Sequence, residues 1–132
     1  MSIKKNYKFD FITVGGTTED ITFYTKDAIM VDNKADILRQ KLMAFEYGAK
    51  LKIDKAYSSF GGGASNAAVC LSKLGLKVAT MVCIGDDNRG KDIVNNFKKY
   101  KVNTGLIQKK TRIETGFTFF IVGSDKEHVG FS

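Results

Sequence analysis

A glycine-rich turn that leads directly into a helix is the feature that most constrains the fold of this sequence. Residues 60–75 read FGGGASNAAVCLSKLG, in which three glycines precede small residues and a helical pattern that stops at Gly75. The segment 49–60 before the turn alternates like a strand, and the apolar run 76–85 after it is typical of a buried strand. Residues 89–100 then place Ile93 and Phe97 on one helical face. Strands that alternate with helices predict an α/β sheet with helix crossovers.

The remaining segments predict a strand-rich excursion beside this sheet. Strands are expected at 7–15, at 20–31 as one or two strands, near 106–108 and at 115–123, and a final strand begins at 127. Apolar residues at mixed spacing predict a short helix over 34–48. The excursion 20–60 predicts a small β-sheet lid attached to the α/β sheet.

Length and composition are those of one globular domain or a piece of a larger one. The chain has 132 residues, of which 43% are hydrophobic and 27% charged. No apolar run approaches the roughly 20 residues that span a bilayer, and the N-terminus lacks the apolar part of a signal peptide. We therefore expect a cytoplasmic protein without a membrane partner. Cys70 and Cys83 lie in apolar patterns, which predicts buried, reduced thiols.

The formal net charge of +7 raises the question of a nucleic-acid partner. The basic residues are spread in short pairs such as Lys98–Lys99 and Lys109–Lys110, and acidic residues lie between them. No RNP, zinc-finger or helix-turn-helix pattern accompanies them. Solvated surface is the better interpretation, and we expect no nucleic-acid partner.

Residues 85–92, GDDNRGKD, nearly match a nucleotide-binding P-loop. Gly85, Gly90 and Lys91 are in register, but Asp92 stands where the metal-binding hydroxyl should be. Asp86 and Asp87 add two more carboxylates, which would repel a polyphosphate. The pattern therefore favours a tight turn with acidic residues near a helix N-terminus.

The cluster 60–68 also fails as a dinucleotide fingerprint, because Asn66 replaces the third glycine. Glycines 61–63 would instead let the backbone approach a ligand closely. Asn66 offers one acceptor and two donors beside open helix N–H groups, and Asp20 follows the first strand with a strong acceptor. Such groups suit a polyhydroxylated ligand. From chemistry alone, a helix-start residue and a turn residue explain Asn66 and Asp20 equally well.

The segment 61–85 resembles the first signature of the PfkB (ribokinase-like) carbohydrate kinases, and the residues 14–21, VGGTTEDI, resemble the N-terminal strand of that family. The residues that match the signature are Gly62, Gly63, Ala64, Asn66, Ala68, Gly75 and Gly85. Residues 85–90, GDDNRG, resemble the turn that often follows the signature strand in this family. The Thr-Gly strand 115–122 resembles the strand that returns to the lid, so the lid would comprise 20–60 and 115–123. The resemblance covers essentially the whole chain, as the N-terminal portion (1–132) of such a kinase domain.

The resemblance implies an ATP-dependent sugar kinase, in which Mg²⁺ neutralises charge and an Asp accepts the proton of the sugar hydroxyl. Asp20 and Asn66 would hold sugar hydroxyls, and Thr118 and Phe120 would line the sugar pocket. Gly61–Gly62 or Gly62–Gly63 would be the hinge of the lid, and the lid would form a homodimer.

The second signature of the family, which carries the catalytic Asp and leads into most of the ATP site, is not in these residues. We therefore assign no catalytic, cofactor-binding or metal-binding residue here, and we expect this chain to be inactive alone. The segment 34–48 departs from the compact family pattern and leaves the substrate open. The alternatives are a nucleoside (adenosine-like) kinase and a non-catalytic sugar-binding or dimerising module.

Overall fold

The computed structural model describes residues 8–132, and within them the predicted α/β fold class is confirmed. The elements, in chain order, are β1 (Phe11–Val14), β2 (Thr18–Tyr24), β3 (Ile29–Asp32), β4 (Lys41–Ala44), β5 (Lys55–Gly61), α1 (Gly63–Lys73), β6 (Val78–Met81), β7 (Cys83–Gly85), α2 (Asn88–Lys99), β8 (Gln108–Lys110), β9 (Phe117–Val122) and β10 (His128–Phe131). Residue 7 of the first predicted strand lies outside the described residues. No helix in the described range is long and apolar enough to cross a bilayer.

The chain divides into two compact units. Unit 1 comprises the described residues up to Glu19 together with Ser59–Phe117, and unit 2 comprises Asp20–Ser58 together with Thr118–Ser132. The chain passes between the units three times, within strands β2, β5 and β9.

Unit 1 is built on parallel strands joined by helices. β1 pairs with β6, β7 pairs with β8, and an isolated parallel bridge joins Ala79 to Asn103. α2 connects β7 to the parallel β8, as expected because parallel neighbours need a crossover. The core of unit 1 consists of buried apolar side chains from α1, β6, β7, α2, the residue between β6 and β7 and the segment after α2, namely Ala64, Ala68, Val78, Val82, Ile84, Ile93, Phe97 and Val102.

Unit 2 contains most of a four-stranded sheet with the order β10–β9–β2–β5, and a separate antiparallel hairpin of β3 and β4. β10 is antiparallel to β9, with Gly130 opposite Phe120.

The helix predicted over 34–48 is wrong, because this segment forms the loop of the hairpin and then β4, which pairs with β3. Its apolar residues did not define a single helical face, and Ile37 and Leu38 are 82% and 94% exposed in the loop. The strand predicted over 49–60 is limited to β5.

Both cysteines are free, as predicted, but the prediction that they are buried is wrong because both are exposed. On α1 the buried side is formed by Ala64, Ser65 and Ala68, which leaves Cys70 on the outer side of the helix. Cys83 lies between the buried Val82 and Ile84, so strand alternation turns it the other way.

Candidate functional site

The glycine turn between β5 and α1 runs directly against the loop that follows β1. Gly62 has φ +92°, and a Cβ atom added there would lie 2.7 Å from both the carbonyl carbon of Gly16 and the Cα of Thr17. A side chain would therefore clash with backbone, and the positive φ would add strain. Only glycine fits this point of unit 1.

A buried pair of hydroxyl groups fixes the same two segments. The hydroxyl of Ser65, in the first turn of α1, donates to Oγ1 of Thr17 at 2.7 Å, and both residues are buried. The start of α1 and the end of the β1 loop are thus joined by backbone contact at Gly62 and by this hydrogen bond.

The N-terminus of α1 is open to a ligand. Its N-cap residue is Gly62, which has no side chain to accept a first-turn N–H. Gly63 is exposed, with nothing within 4 Å of the position that a Cβ would take, and Asn66 is exposed one turn into the helix. The predicted residues Gly62, Gly63 and Asn66 therefore lie together at one helix end that offers backbone donors and a side-chain amide.

The other three predicted residues lie together in unit 2. Asp20 is on β2, whereas Thr118 and Phe120 are on β9, the neighbouring strand of the sheet. The rings of Phe23 and Phe119 touch edge to face on one side of these strands, at 6.5 Å between centroids. Because side chains alternate along a strand, Asp20, Thr118 and Phe120 share the opposite face.

Neighbours on β10 hold the ring of Phe120 in place. The ring packs over Gly130, where an added Cβ would lie 2.8 Å from its Cε1 atom. It also meets the His128 imidazole edge to face, at 5.4 Å between centroids. This face of the sheet therefore combines a carboxylate, a hydroxyl and a fixed aromatic ring. The carboxylate and the hydroxyl can bind the hydroxyl groups of a cyclic polyol, and the aromatic ring can pack against the apolar face of that ligand's ring.

The acidic loop before α2 is organised by the carboxylate of Asp87. Its Oδ2 accepts the N–H of Thr115 at 2.7 Å, and its Oδ1 accepts the hydroxyl of Thr115 at 2.7 Å and the N–H of Gly90 at 2.8 Å. The N–H of Gly85 donates to the Thr115 hydroxyl at 2.9 Å. Hydrogen bonds, led by that from the Thr115 N–H and followed by that from the Gly90 N–H, lower the pKa of Asp87 to about 2.

This network explains the near match to a P-loop. The N–H of Gly90 binds Asp87, and Asp86 forms an ion pair with Lys109 at 2.5 Å. A Cβ added at Gly90 would lie 2.6 Å from the carbonyl oxygen of Gly85 and 2.9 Å from the Thr115 hydroxyl, so close packing explains the glycine at this position. The loop does not fit a polyphosphate, and the predicted role of Asp87 at the helix N-terminus is confirmed. Among residues 8–132, no three or more His, Cys, Asp or Glu residues are grouped as metal ligands.

Two residues of this region could not be assigned from sequence. Thr115 is buried and bridges Asp87 to Gly85, although it lies 28 residues from Asp87 along the chain. Arg89 contacts Glu19 and Phe117. The position of Asp87 in the sequence was enough to place it near a helix N-terminus. No pattern near Thr115 in the sequence shows that it is the hydrogen-bond partner of Asp87.

Two curated relatives illustrate the similarity of this chain to known proteins. It is 36% identical to a ribokinase of Haemophilus influenzae over 70 residues, which are 53% of this chain and 23% of the relative. It is 28% identical to a 5-dehydro-2-deoxygluconokinase of Listeria monocytogenes over 131 residues, or 96% of this chain and 34% of the relative. The chain thus spans a quarter to a third of the length of these relatives.

Solved structures share the fold. A ribokinase of Arabidopsis thaliana complexed with ribose and ATP matches with a TM-score of 0.76 at 17% identity, over 95% of this chain and 36% of that one. A nucleoside kinase of Methanocaldococcus jannaschii matches with a TM-score of 0.69 at 23% identity, over 91% and 35% of the two chains.

A family-wide comparison covers most of the sequence. The profile described as pfkB family carbohydrate kinase matches residues 26–130, a range that includes the glycine turn, α1 and the acidic loop. This chain belongs to the pfkB family of carbohydrate kinases.

Proposed function

We propose that this chain is the sugar-holding part, with the lid, of a kinase that transfers the γ-phosphoryl group of ATP to a sugar hydroxyl. The observation that carries the proposal is the open N-terminus of α1, where Gly62 meets the backbone of Gly16–Thr17 and Asn66 is exposed. Donors and acceptors at such a helix end suit the hydroxyl groups of a sugar, which both donate and accept.

Unit 2 is a compact unit of its own, which supports the proposal that it acts as a lid and supplies the other sugar contacts. We propose that the lid consists of the segments 20–60 and 115–123, with the turn at Gly61–Gly63 as its hinge. Asp20 would accept one or two sugar hydroxyls, a charged hydrogen bond worth about 1.5–3 kcal/mol. Thr118 and Phe120, on the same sheet face as Asp20, would line the sugar pocket.

ATP and Mg²⁺ are placed outside this chain in the proposal. The P-loop-like residues 85–92 do not fit a polyphosphate, because Asp87 already binds the N–H of Gly90 and the loop carries further carboxylates. Within this chain, residues are proposed to bind and orient the sugar, and none is assigned to accept its proton.

A homodimer through the lid and a cytoplasmic location complete the proposal. Apolar side chains of unit 2 such as Ile29 and Tyr57 are 60% and 56% exposed, which favours a contact surface. Light scattering of the purified protein would test the dimer, and a monomer at micromolar concentration would contradict it.

The proposed function is tested by measuring the phosphorylation of a panel of substrates by the native protein, purified from its source. With ATP and Mg²⁺, we expect phosphorylation of ribose, fructose or 5-dehydro-2-deoxygluconate in preference to adenosine. Preference for adenosine would favour the nucleoside kinase, and binding of a sugar without turnover would favour the non-catalytic module.

Matched variants then test the proposed residues. Asp20→Ala is expected to lower kcat/KM for the sugar more than tenfold, because it removes a charged acceptor. Asp92→Ala removes the same charge from an exposed position on α2 and should leave kcat/KM within twofold. Asn66→Ala and Asn95→Ala form a second such pair. An unchanged value in Asp20→Ala would remove Asp20 from the site.

A further inference from the structure

Arg89 lies in the first turn of α2 and contacts two other segments of unit 1. Its Nε atom is 3.4 Å from Oε2 of Glu19, and its guanidinium carbon is 4.2 Å from the centroid of the Phe117 ring. The side chains of Arg89 and Glu19 are 35% and 17% exposed, so solvent screens this pair less than a fully exposed one. One cation therefore holds a carboxylate and an aromatic face at once.

The two contacted residues stand where the chain leaves unit 1. Glu19 and Phe117 are the last residues of unit 1 on β2 and β9, and Asp20 and Thr118 follow them directly. The N–H of Glu19 donates to the carbonyl of Gly116 at 3.1 Å, which joins the two strands at this point.

The helix turn that carries Arg89 is itself fixed. Asp87 caps α2 and binds both the N–H and the hydroxyl of Thr115, two residues before Phe117. The network of Asp87 thus holds the start of α2 against the chain that enters β9, and Arg89 extends this contact to β2.

We propose that Arg89 is a positioning residue for sugar binding. Its guanidinium holds the starts of β2 and β9 together, and thereby sets the backbone from which Asp20 and Thr118 project. The role of Arg89 in sugar binding rests on the proposed function. Its contact with Glu19 and Phe117, which we call the clamp, does not. Arg89 itself touches no substrate in this proposal.

The first measurement is amide hydrogen exchange in the protein as its source makes it. Arg89→Ala is expected to speed exchange of the Glu19 N–H at least tenfold, because the two strand starts separate more often. Arg89→Lys keeps the charge but loses the planar guanidinium, so an intermediate rate is expected. Lys98→Ala, which removes one exposed positive charge from the same helix, should leave the rate unchanged. The Val102 N–H, bonded to the carbonyl of Phe97 in the core, reports global unfolding and should not change.

The second measurement is sugar kinetics with the same variants. Arg89→Ala is expected to raise KM for the sugar at least fivefold with kcat within twofold, and Arg89→Lys to restore part of the loss. An unchanged Glu19 exchange rate in Arg89→Ala overturns the clamp. Faster exchange with an unchanged KM overturns the positioning role. A wild-type protein that phosphorylates no sugar overturns the proposed function and the role in sugar binding with it, while hydrogen exchange still decides the clamp.

Discussion

At the residue scale, backbone proximity explains the glycines better than phosphate binding does. At Gly62 the space for a side chain is filled by the backbone of Gly16 and Thr17, and at Gly90 it is filled by the carbonyl oxygen of Gly85 and the hydroxyl of Thr115. Both glycines let two segments of unit 1 approach within van der Waals contact. The spacing that suggests a P-loop therefore follows from packing around Asp87.

Gly62→Ala is expected to lower the free energy of unfolding by about 3 kcal/mol or more. The cost has two sources, a positive φ and a clash with backbone atoms that cannot move away easily. The control is Gly63→Ala, where a Cβ meets nothing within 4 Å and the change should stay within about 0.5 kcal/mol. Urea unfolding measures both, and equal stabilities of the two variants would contradict the close contact at Gly62.

The stability of unit 1 should depend on pH through Asp87. Because its pKa is lowered to about 2 in the folded protein, the carboxylate stabilises the fold fully above its unfolded pKa of about 4. This contribution, on the order of 1–2 kcal/mol after solvent screening, is lost as the pH falls from about 5 to about 2.

Unfolding of Asp87→Asn, followed from pH 7 to pH 2, tests this dependence. The variant is expected to be less stable at pH 7 and to lose less stability on acidification, because its amide does not titrate. Asp92→Asn removes an exposed carboxylate from the same helix and should keep the wild-type slope. An identical acid slope in Asp87→Asn and the wild type would show that Asp87 is not the stabilising carboxylate.

At the element scale, the helices were predictable because each carries its own local signals. Gly62 and Gly75 flank α1, while Asp87 caps α2 and Ile93 and Phe97 give it one buried face. Most of β3 falls in the stretch 20–31 that was expected to form one or two strands. β4 and the hairpin were not predictable, because the apolar residues of 34–48 follow no clear period and β4 is stabilised by its pairing with β3. Residue spacing cannot report which strand will pair with which.

Leu38→Ser is expected to change the free energy of unfolding by less than about 0.5 kcal/mol. Leu38 is 94% exposed in the loop between β3 and β4, whereas an amphipathic helix over 34–48 would have packed it against other residues. Leu71→Ser, at a position of α1 packed against the core, should cost about 2 kcal/mol or more. A loss above about 1 kcal/mol in Leu38→Ser would mean that the loop is covered in the native protein.

At the scale of the whole molecule, sequence reasoning identified the fold and two groups of candidate residues. Gly62, Gly63 and Asn66 were expected at a helix start, and they lie at the N-terminus of α1. That Asp20 shares a sheet face with Thr118 and Phe120 depends on the pairing of β2 with β9, which are far apart in sequence. Their role in binding a sugar stays a prediction.

Residues 1–132 alone are expected to transfer no phosphoryl group from ATP to any sugar of the panel. The chain spans about a third of the length of the Listeria relative, and no carboxylate within it is assigned to accept the proton of the sugar hydroxyl. Coupled detection of ADP from the purified chain, beside the protein as its source makes it, would measure this. Sugar-dependent ADP formation by residues 1–132 would contradict the expectation and would show that an acceptor for the proton lies among these residues.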